Sequence, residues 1–154
     1  MPSRLPQTAA RRRPENLAVL LREPYRFGSE RLVERFAARG HPEIRAAHGN
    51  VFPFLDSDGT RVSVLAERAQ ITKQSMAELV IYLEQRGYVE RVADPADRRA
   101  KLVRTTAKGE ELYAIAREVV AELEAEWTAR IGEERMRLLR EILVELNAGL
   151  DEPG

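Results

Sequence analysis

The sequence predicts a mainly helical fold of the α+β class, in which two short helices and a two-stranded hairpin lie between longer helices. Three observations support this prediction. Apolar residues recur at spacings of three and four through most of the chain. Residues 88–92 alternate like a strand, and a basic turn separates them from a second short strand at residues 101–104. With 154 residues, the chain is long enough for one domain with a hydrophobic core.

Charge is balanced overall but unevenly distributed along the chain. Residues 1–59 hold 10 basic and 7 acidic side chains, residues 60–108 hold 10 and 6, and residues 109–154 hold 5 and 12. A basic middle beside an acidic C-terminal arm is typical of a protein that contacts a polyanion with one surface. The alternative is a chance imbalance on solvated helices.

The composition also excludes several classes of protein. The absence of Cys excludes disulfides, thiol-based redox sensing and Cys-ligated metals, and the presence of only two His argues against a multi-His metal site. The chain contains no nucleophile–base set, metal-ligand spacing or phosphate loop, so we expect no enzyme activity and no cofactor. It has no run of about 18 apolar residues, and no signal-type apolar stretch follows the basic residues 11–13. We therefore expect a cytoplasmic protein with no membrane partner.

The N-terminal part is predicted to be a flexible basic arm, residues 1–14, followed by a single domain over residues 15–150. Pro24 interrupts the first helical pattern of that domain, because a proline ring collides with the carbonyl four residues earlier. We expect either a short helix that ends near Glu23 or a break there. A longer helix should then run to about Arg39 and end at the glycine that follows.

The next segment, residues 42–55, carries apolar residues at helical spacings and is predicted to be a second helix. Gly49 and Pro53 lie four residues apart within it, and this pair predicts a kink. The polar cluster at residues 56–59 predicts the turn that closes the helix.

Two short helices follow, at residues 61–69 and 73–86, with Ile71 as the buried plug of the corner between them. Thr72 is a suitable N-cap for the second helix, whose inner face is Met76, Leu79, Val80 and Leu83. The outward first turn of that helix is typical of a recognition helix in the DNA major groove. Lys can pair with guanine, Gln with adenine and Ser with several base edges, and the helix N-terminus favours a nearby phosphate. The predicted DNA contacts of this region are Ser63, Thr72, Lys73, Gln74 and Ser75. The alternative is an ordinary solvated helix face.

The hairpin over residues 88–104 carries a second set of predicted DNA contacts. Its basic turn contains the adjacent Arg98 and Arg99, and Lys101 follows them. An arginine at a hairpin tip can reach the minor groove, where narrow A·T tracts concentrate negative potential. Asp97 suits this role if it holds an arginine in one orientation through a charge-assisted pair. The alternative is a solvated hairpin with incidental charges.

Thr106 is predicted to cap a long helix that ends at Gly132, and a final helix covers residues 133–147. A helix of about 25 residues spans roughly 38 Å, which is too long to be buried by the short helices and hairpin alone. Its apolar stripe, together with those of the first and last helices, predicts a symmetric homodimer. A monomeric bundle is the alternative.

At residues 61–109 the chain resembles the MarR family of winged helix-turn-helix transcription regulators. The motifs that carry the resemblance are Leu65-Ala66-Glu67-Arg68, Leu79-Val80, Leu83-Glu84-Gln85-Arg86-Gly87-Tyr88-Val89, Asp94-Pro95-Ala96-Asp97-Arg98-Arg99 and Thr106-Ala107-Lys108-Gly109. The resemblance implies a winged helix-turn-helix with a two-stranded wing at about residues 60–106. It also implies long N- and C-terminal dimerisation helices at about residues 15–40 and 107–149.

The resemblance further implies a homodimer that binds a palindromic operator in double-stranded DNA, usually represses, and is released by a small, often phenolic, ligand. Arg99 matches the minor-groove arginine of the family, and Asp97 matches its orienting partner. The chain departs from the family at Thr105, where Leu is usual. It also departs at Gly49 and Pro53, because the corresponding helix is usually uninterrupted.

We place the ligand pocket between the second helix and the long C-terminal helix, near Tyr25, His48, Phe52 and Tyr113. A His on an apolar face is more often a satisfied core residue, which is the alternative interpretation of His48. The alternative to a sequence-specific regulator is a winged-helix protein-interaction module that does not bind DNA specifically.

Overall fold

The computed structural model of the chain describes residues 16–148, and the basic arm predicted for residues 1–14 lies outside them. As predicted, the fold is mainly helical with one two-stranded antiparallel sheet. None of the described helices combines the length and the apolar character needed to cross a membrane. The elements in chain order are α1 (Leu17–Ala38), two 3₁₀ turns (Ala46–Asn50 and Phe52–Phe54), α2 (Val62–Arg68), α3 (Lys73–Gln85), β1 (Val89–Asp94), β2 (Asp97–Thr105), α4 (Ala107–Ile131) and α5 (Glu133–Ala148).

Helix α1 is continuous through Pro24, so the predicted break at that residue is wrong. A proline inside a helix costs about 3 kcal/mol, but contacts on both sides of Pro24 stabilise the helix. Upstream, Asn16 caps the helix by accepting the backbone N–H three residues later (3.1 Å), and downstream α1 packs along α4. The helix ends at Gly40 as predicted, where a φ of 93° lets the His41 N–H reach the Phe36 carbonyl at 2.8 Å.

Residues 42–55 do not form the predicted kinked helix, because two 3₁₀ turns replace it. Gly49 weakens an α-helix, and Pro53 would place its ring against the Gly49 carbonyl. In the second 3₁₀ turn Pro53 occupies one of the first positions, where no backbone donor is required. The first turn gains a local bond instead, since the Arg45 backbone N–H donates to Nδ1 of His48 at 2.9 Å.

Helices α2 and α3 form the predicted helix-turn-helix around a shared core. The side chains of these helices that the core buries completely are Leu65, Met76, Val80 and Leu83. The corner passes through Gln70, whose φ of 53° is left-handed, and the Ile71 N–H then bonds the Ala66 carbonyl at 3.1 Å. Ile71 is half-buried against the core rather than fully buried.

Strands β1 and β2 pair antiparallel, and both are longer than predicted. The register shifts after the pair of Ala93 with Lys101, because the next pair is Asp94 with Asp97. Residues 98–100 of β2 therefore form a bulge with no counterpart in β1. The bulge carries both of the predicted wing arginines.

The wing is fastened to the helices on two sides. Thr60, just before α2, exchanges two backbone hydrogen bonds with Val103 (2.8 and 2.9 Å). On the other side, Gly109 of α4 lies so close to β1 that a Cβ there would overlap the Tyr88 carbonyl oxygen. The methyl group of Thr105 would lie 2.7 Å from the same Cβ, so this threonine packs against the start of α4.

Three arginine–glutamate pairs join α1 to α4, at one-turn intervals on both helices: Arg31–Glu126 (2.7 Å), Arg35–Glu122 (2.6 Å) and Arg39–Glu118 (2.8 Å). Beneath them, a small apolar cluster of α4 packs on α1. Its buried members are Ile115, Val119 and Leu123. Helix α5 contacts α4 but buries none of its described side chains.

Candidate nucleic-acid interface

The first turn of α3 is exposed and is held by a side-chain cap. Oγ1 of Thr72 accepts the Ser75 backbone N–H (3.1 Å) and donates to Oγ of Ser75 (2.8 Å), so these two hydroxyls stabilise the helix start. Lys73 and Gln74 are exposed in the same turn, and Lys73 makes no ion pair within the described part of the chain. Ser63 is exposed on α2.

The wing tip presents Arg98, Arg99 and Lys101 to solvent, and the Arg99 side chain is 95% exposed. Asp97 contacts Arg99 mainly through the backbone. Its Oδ1 accepts the Arg99 N–H at 3.0 Å, whereas Nε of Arg99 is 3.9 Å away. Asp97 therefore directs the backbone and leaves the guanidinium able to bind an external anion. No hydrogen bond or ion pair within residues 16–148 joins the α3 set to the wing set, and the two are separate exposed surfaces.

The pair that anchors the wing tip was missed from the sequence. Asp94, at the end of β1, is buried and binds two nitrogens of Arg61, Nε at 2.7 Å and Nη2 at 2.5 Å. Its Oδ1 also accepts the Ala96 N–H at 2.8 Å, and this backbone bond, followed by Arg61, lowers the pKa of Asp94 below its usual value. Because Arg61 immediately precedes α2, the pair fastens the wing to the helix-turn-helix. The Asp94-Pro95 dipeptide indicates the turn in the sequence. It does not indicate Arg61 as the partner of Asp94, because the two residues are 33 positions apart.

An apolar cavity of about 160 Å³ lies between α1, the 3₁₀ turns and α4. Of the four residues predicted to bind a ligand, His48, Phe52 and Tyr113 line this cavity. Tyr25 does not, and its predicted place in the pocket is wrong. It is 75% exposed and lines an adjoining groove, because it lies one turn before Ser29, the first α1 residue to reach the cavity.

His48 supports the fold as well as the cavity wall. Its Nδ1 accepts the Arg45 N–H, and its ring stacks on Tyr82 with centroids 4.8 Å apart. Burial, followed by two nearby arginines, lowers the pKa of His48, so the ring is neutral at pH 7 and carries its proton on Nε2. Next to it, the Tyr113 hydroxyl donates to the Phe52 carbonyl, and the two rings meet edge-on at 5.8 Å.

A buried polar network, also missed from the sequence, joins the segment after α1 to the wing and α4. The fully buried Tyr88 donates its hydroxyl to Oε1 of Glu43 (2.8 Å) and contacts Nδ1 of His41 (2.9 Å). Nζ of Lys108 donates to the same Glu43 oxygen at 3.1 Å. The backbone N–H of Glu43 itself, followed by Tyr88, lowers the pKa of Glu43 to about 2, whereas burial and then Glu43 raise the pKa of Tyr88.

Comparison with known proteins agrees with this architecture. A profile of the MarR family matches residues 52–100, which include the helix-turn-helix and most of the wing. The transcriptional regulator HosA of Escherichia coli O111:H- is 34% identical over 88 residues, which are 57% of this chain and 65% of HosA. The match thus spans slightly less than two thirds of the length of HosA.

Two solved structures share the fold. One is the S. aureus MepR F27L mutant bound to an oligodeoxyribonucleotide (TM-score 0.58, 19% identity, 90% of this chain and 100% of MepR). The other is CouR from Rhodococcus jostii RHA1 bound to p-coumaroyl-CoA (TM-score 0.66, 22% identity, 86% of this chain and 92% of CouR). At these identities the likeness establishes the fold alone. The family profile over the helix-turn-helix and wing, the HosA relative and the winged-helix fold make this chain similar to members of the MarR family.

Proposed function

We propose that the chain is a sequence-specific DNA-binding transcription regulator. The observation that carries the proposal is the wing tip, where Arg98 and Arg99 project from a bulge that the pair of Asp94 and Arg61 fastens to the helix-turn-helix. An exposed guanidinium on a firmly held hairpin suits the minor groove, where narrow A·T tracts attract arginine. MepR, which shares the fold, is bound to DNA in its solved structure.

The predicted contacts divide between the two grooves and the phosphates. Lys73 and Gln74, exposed in the first turn of α3, would reach base edges in the major groove. The capped start of that helix, at Thr72 and Ser75, would bind a phosphate through its free N–H groups. Further phosphate contacts would come from the exposed Ser63 and Lys101.

The partner that we propose is a second copy of the chain. Helices α1 and α5 carry large, mainly apolar side chains that remain exposed in the single chain: Leu17, Leu20, Leu21, Tyr25, Phe27, Leu138, Leu139, Ile142, Val144 and Leu146. Extensive exposed apolar surface marks an interaction site, and a two-fold symmetric dimer is the most common way to bury it. A symmetric dimer would place two recognition helices in successive major grooves roughly 34 Å apart, which requires a palindromic operator. Light scattering should therefore give twice the mass of one chain.

We further propose that the regulator is a cytoplasmic repressor that a small phenolic ligand releases. The cavity of about 160 Å³ is close in size to an engineered cavity of about 150 Å³ that binds benzene. Nε2 of His48, which has no partner among the described residues, could donate to a phenolic oxygen. Helices α1 and α4 both form walls of this cavity. A ligand that prefers one arrangement of these helices would therefore change the distance between the two helix-turn-helix motifs of the dimer. His48→Ala should abolish release from the operator by candidate phenols, and an unchanged response would contradict this site.

The test of the main proposal is binding of the full chain to the DNA upstream of its own gene at several salt concentrations. A regulator should prefer that DNA over an unrelated duplex, and its affinity should fall steeply with salt because the protein neutralises several phosphates. Equal and weak affinity for both duplexes would contradict the proposal and favour the protein-interaction module.

A further inference from the structure

The most exposed ridge of α3 differs from the set of contacts predicted for its first turn. Gln74, Glu78, Ile81 and Gln85 follow one another at spacings of four, three and four, so they form one line along the helix. All four are exposed, whereas the opposite face of α3 is fully buried in the core. Under the proposed function, this ridge is the part of the helix that penetrates deepest into a major groove.

The first half of the ridge offers hydrogen-bond acceptors. Nε2 of Gln74 donates to Oε1 of Glu78 at 3.4 Å, so one of its two N–H groups is engaged and the Gln74 carbonyl oxygen remains able to accept. The ionised Glu78 carboxylate can only accept. In the major groove the complementary donors are the N4 amino group of cytosine and the N6 amino group of adenine, and a glutamate suits the cytosine. The same carboxylate repels phosphates, so it disfavours binding to DNA that does not provide this donor.

The second half of the ridge offers an alkyl group. Ile81 is 44% exposed, although its neighbours along the ridge are polar. The apolar feature that a base pair presents in the major groove is the C5 methyl group of thymine. Three residues of helix advance about 4.5 Å, and one base step advances about 3.4 Å, so Glu78 and Ile81 would face base pairs one or two steps apart.

We propose that Glu78 and Ile81 of α3 determine the DNA sequence that the chain selects. Glu78 accepts a hydrogen bond from the N4 amino group of a cytosine, and Ile81 packs on the methyl group of a nearby thymine. The proposal rests on the proposed function and deepens it by naming the bases that α3 selects. It also adds to the role of Gln74, because the amide that donates one N–H to Glu78 keeps its second N–H and its carbonyl oxygen for a base edge.

The experiment is selection of duplexes from a random library by the full chain and by two variants, Glu78→Gln and Ile81→Ala. The unaltered chain should enrich a half-site with a cytosine and a thymine within two base pairs. The Glu78→Gln variant should prefer that cytosine about tenfold less strongly than the unaltered chain does. It should also bind unrelated duplexes more tightly, because the charge that repels the phosphates is gone. The Ile81→Ala variant should prefer the thymine about fourfold less strongly than the unaltered chain does. Replacing that thymine with uracil, which lacks the methyl group, should weaken DNA binding by the unaltered chain by about the same factor. The same replacement should leave DNA binding by the Ile81→Ala variant unchanged.

The matched control is Glu34→Gln, which removes the same charge from the exposed side of α1 and should keep the base preferences of the unaltered chain. Because both test residues are exposed, thermal unfolding midpoints should be nearly unchanged, and a merely structural role would lower binding to every sequence equally. Enrichment of one and the same site by the unaltered chain and both variants, with equal base preferences, would overturn this inference and leave the regulator proposal intact. Failure of the unaltered chain to enrich any sequence would overturn both.

Discussion

Helix propensity and packing make opposite predictions for the substitution Gly109→Ala. Gly109 lies in the first turn of α4, where replacement of a glycine by alanine in an exposed helix would stabilise the fold by up to about 1 kcal/mol. In the folded chain, however, the new Cβ would overlap the Tyr88 carbonyl oxygen and would lie 2.7 Å from Cγ2 of Thr105. Packing therefore predicts destabilisation.

The size of this effect depends on whether the neighbours can move. The Tyr88 oxygen belongs to the backbone and already accepts the Thr106 N–H at 3.2 Å, so it cannot turn away as a side chain would. Overpacking of a tight contact typically costs 1 to 3 kcal/mol, and a backbone neighbour places this site near the top of that range. After the gain in helix propensity is subtracted, we expect a net loss of about 2 kcal/mol in the free energy of unfolding.

Gly28→Ala is the matched control, because Gly28 is also buried inside a helix. A Cβ at that position would lie 3.5 Å from Cδ1 of Leu123, which is ordinary van der Waals contact. This variant should therefore gain about 0.5 to 1 kcal/mol from helix propensity. Urea unfolding at one fixed protein concentration would measure both variants, since the stability of a dimer depends on concentration.

A Gly109→Ala variant that is as stable as the unaltered chain or more stable, with an unchanged dependence on urea, would refute the reasoning. That result would mean that Gly109 of α4 does not lie against the Tyr88 carbonyl oxygen. Equal destabilisation by both substitutions would refute it in another way, because a new methyl group would overlap a neighbouring atom only at Gly109.

Three further predictions concern the wing, the corner and the buried network. Under the proposed function, Arg99→Ala should weaken binding to the operator DNA by about tenfold without changing the dimer mass proposed for the unaltered chain, measured by fluorescence anisotropy and light scattering; loss of the proposed dimer would mean that the wing is misplaced. Gln70→Gly should raise the free energy of unfolding by about 0.5 to 1 kcal/mol because it relieves a left-handed φ, whereas Gln70→Ala should give no gain; equal effects would contradict the strain. The pKa of Glu43 in the folded chain is about 2, below its usual value of 4.5, so its contribution to stability is present above about pH 4.5 and is lost as the pH falls towards 2. Thermal unfolding of Glu43→Gln should therefore depend less on pH in this window than unfolding of the unaltered chain, and parallel curves would contradict the assignment.

Local chemistry explains the elements that were predicted correctly from the sequence. Thr72 and Thr106 were placed as N-caps, and each accepts the backbone N–H three residues later, because capping needs only a suitable side chain and the first helical turn. Gly40 and Gly132 end their helices with φ near 90°, a conformation that glycine adopts without steric cost. The helix-turn-helix and the wing followed from apolar periodicity and from the polar, basic turn between two strands.

The errors arise where one local preference competes with another. Pro24 disfavours a helix, but its cost of about 3 kcal/mol is opposed by the cap at Asn16 and by the packing of α1 on α4, which a sequence pattern does not contain. Between residues 42 and 55, the apolar spacing of a helix competes with Gly49 and Pro53, and the 3₁₀ turns satisfy both. Tyr25 lies on α1 as predicted, but the crossing of α1 over the 3₁₀ turns decides that the cavity starts one turn later.

The sequence by itself determined most of the helices, where most of those helices begin and end, and that a basic hairpin follows a helix-turn-helix. Capping, periodicity and turn formation act over a few residues, so they can be read from the sequence. Only the tertiary structure decided the contacts between distant segments: the pair of Arg61 with Asp94 that holds the wing, the approach of Gly109 to Tyr88, and the network around Glu43. These contacts join residues that are 21 to 65 positions apart, so their partners depend on how the elements pack. The same packing selects the ridge of α3 that faces outward, and with it the residues that are available for the proposed reading of DNA.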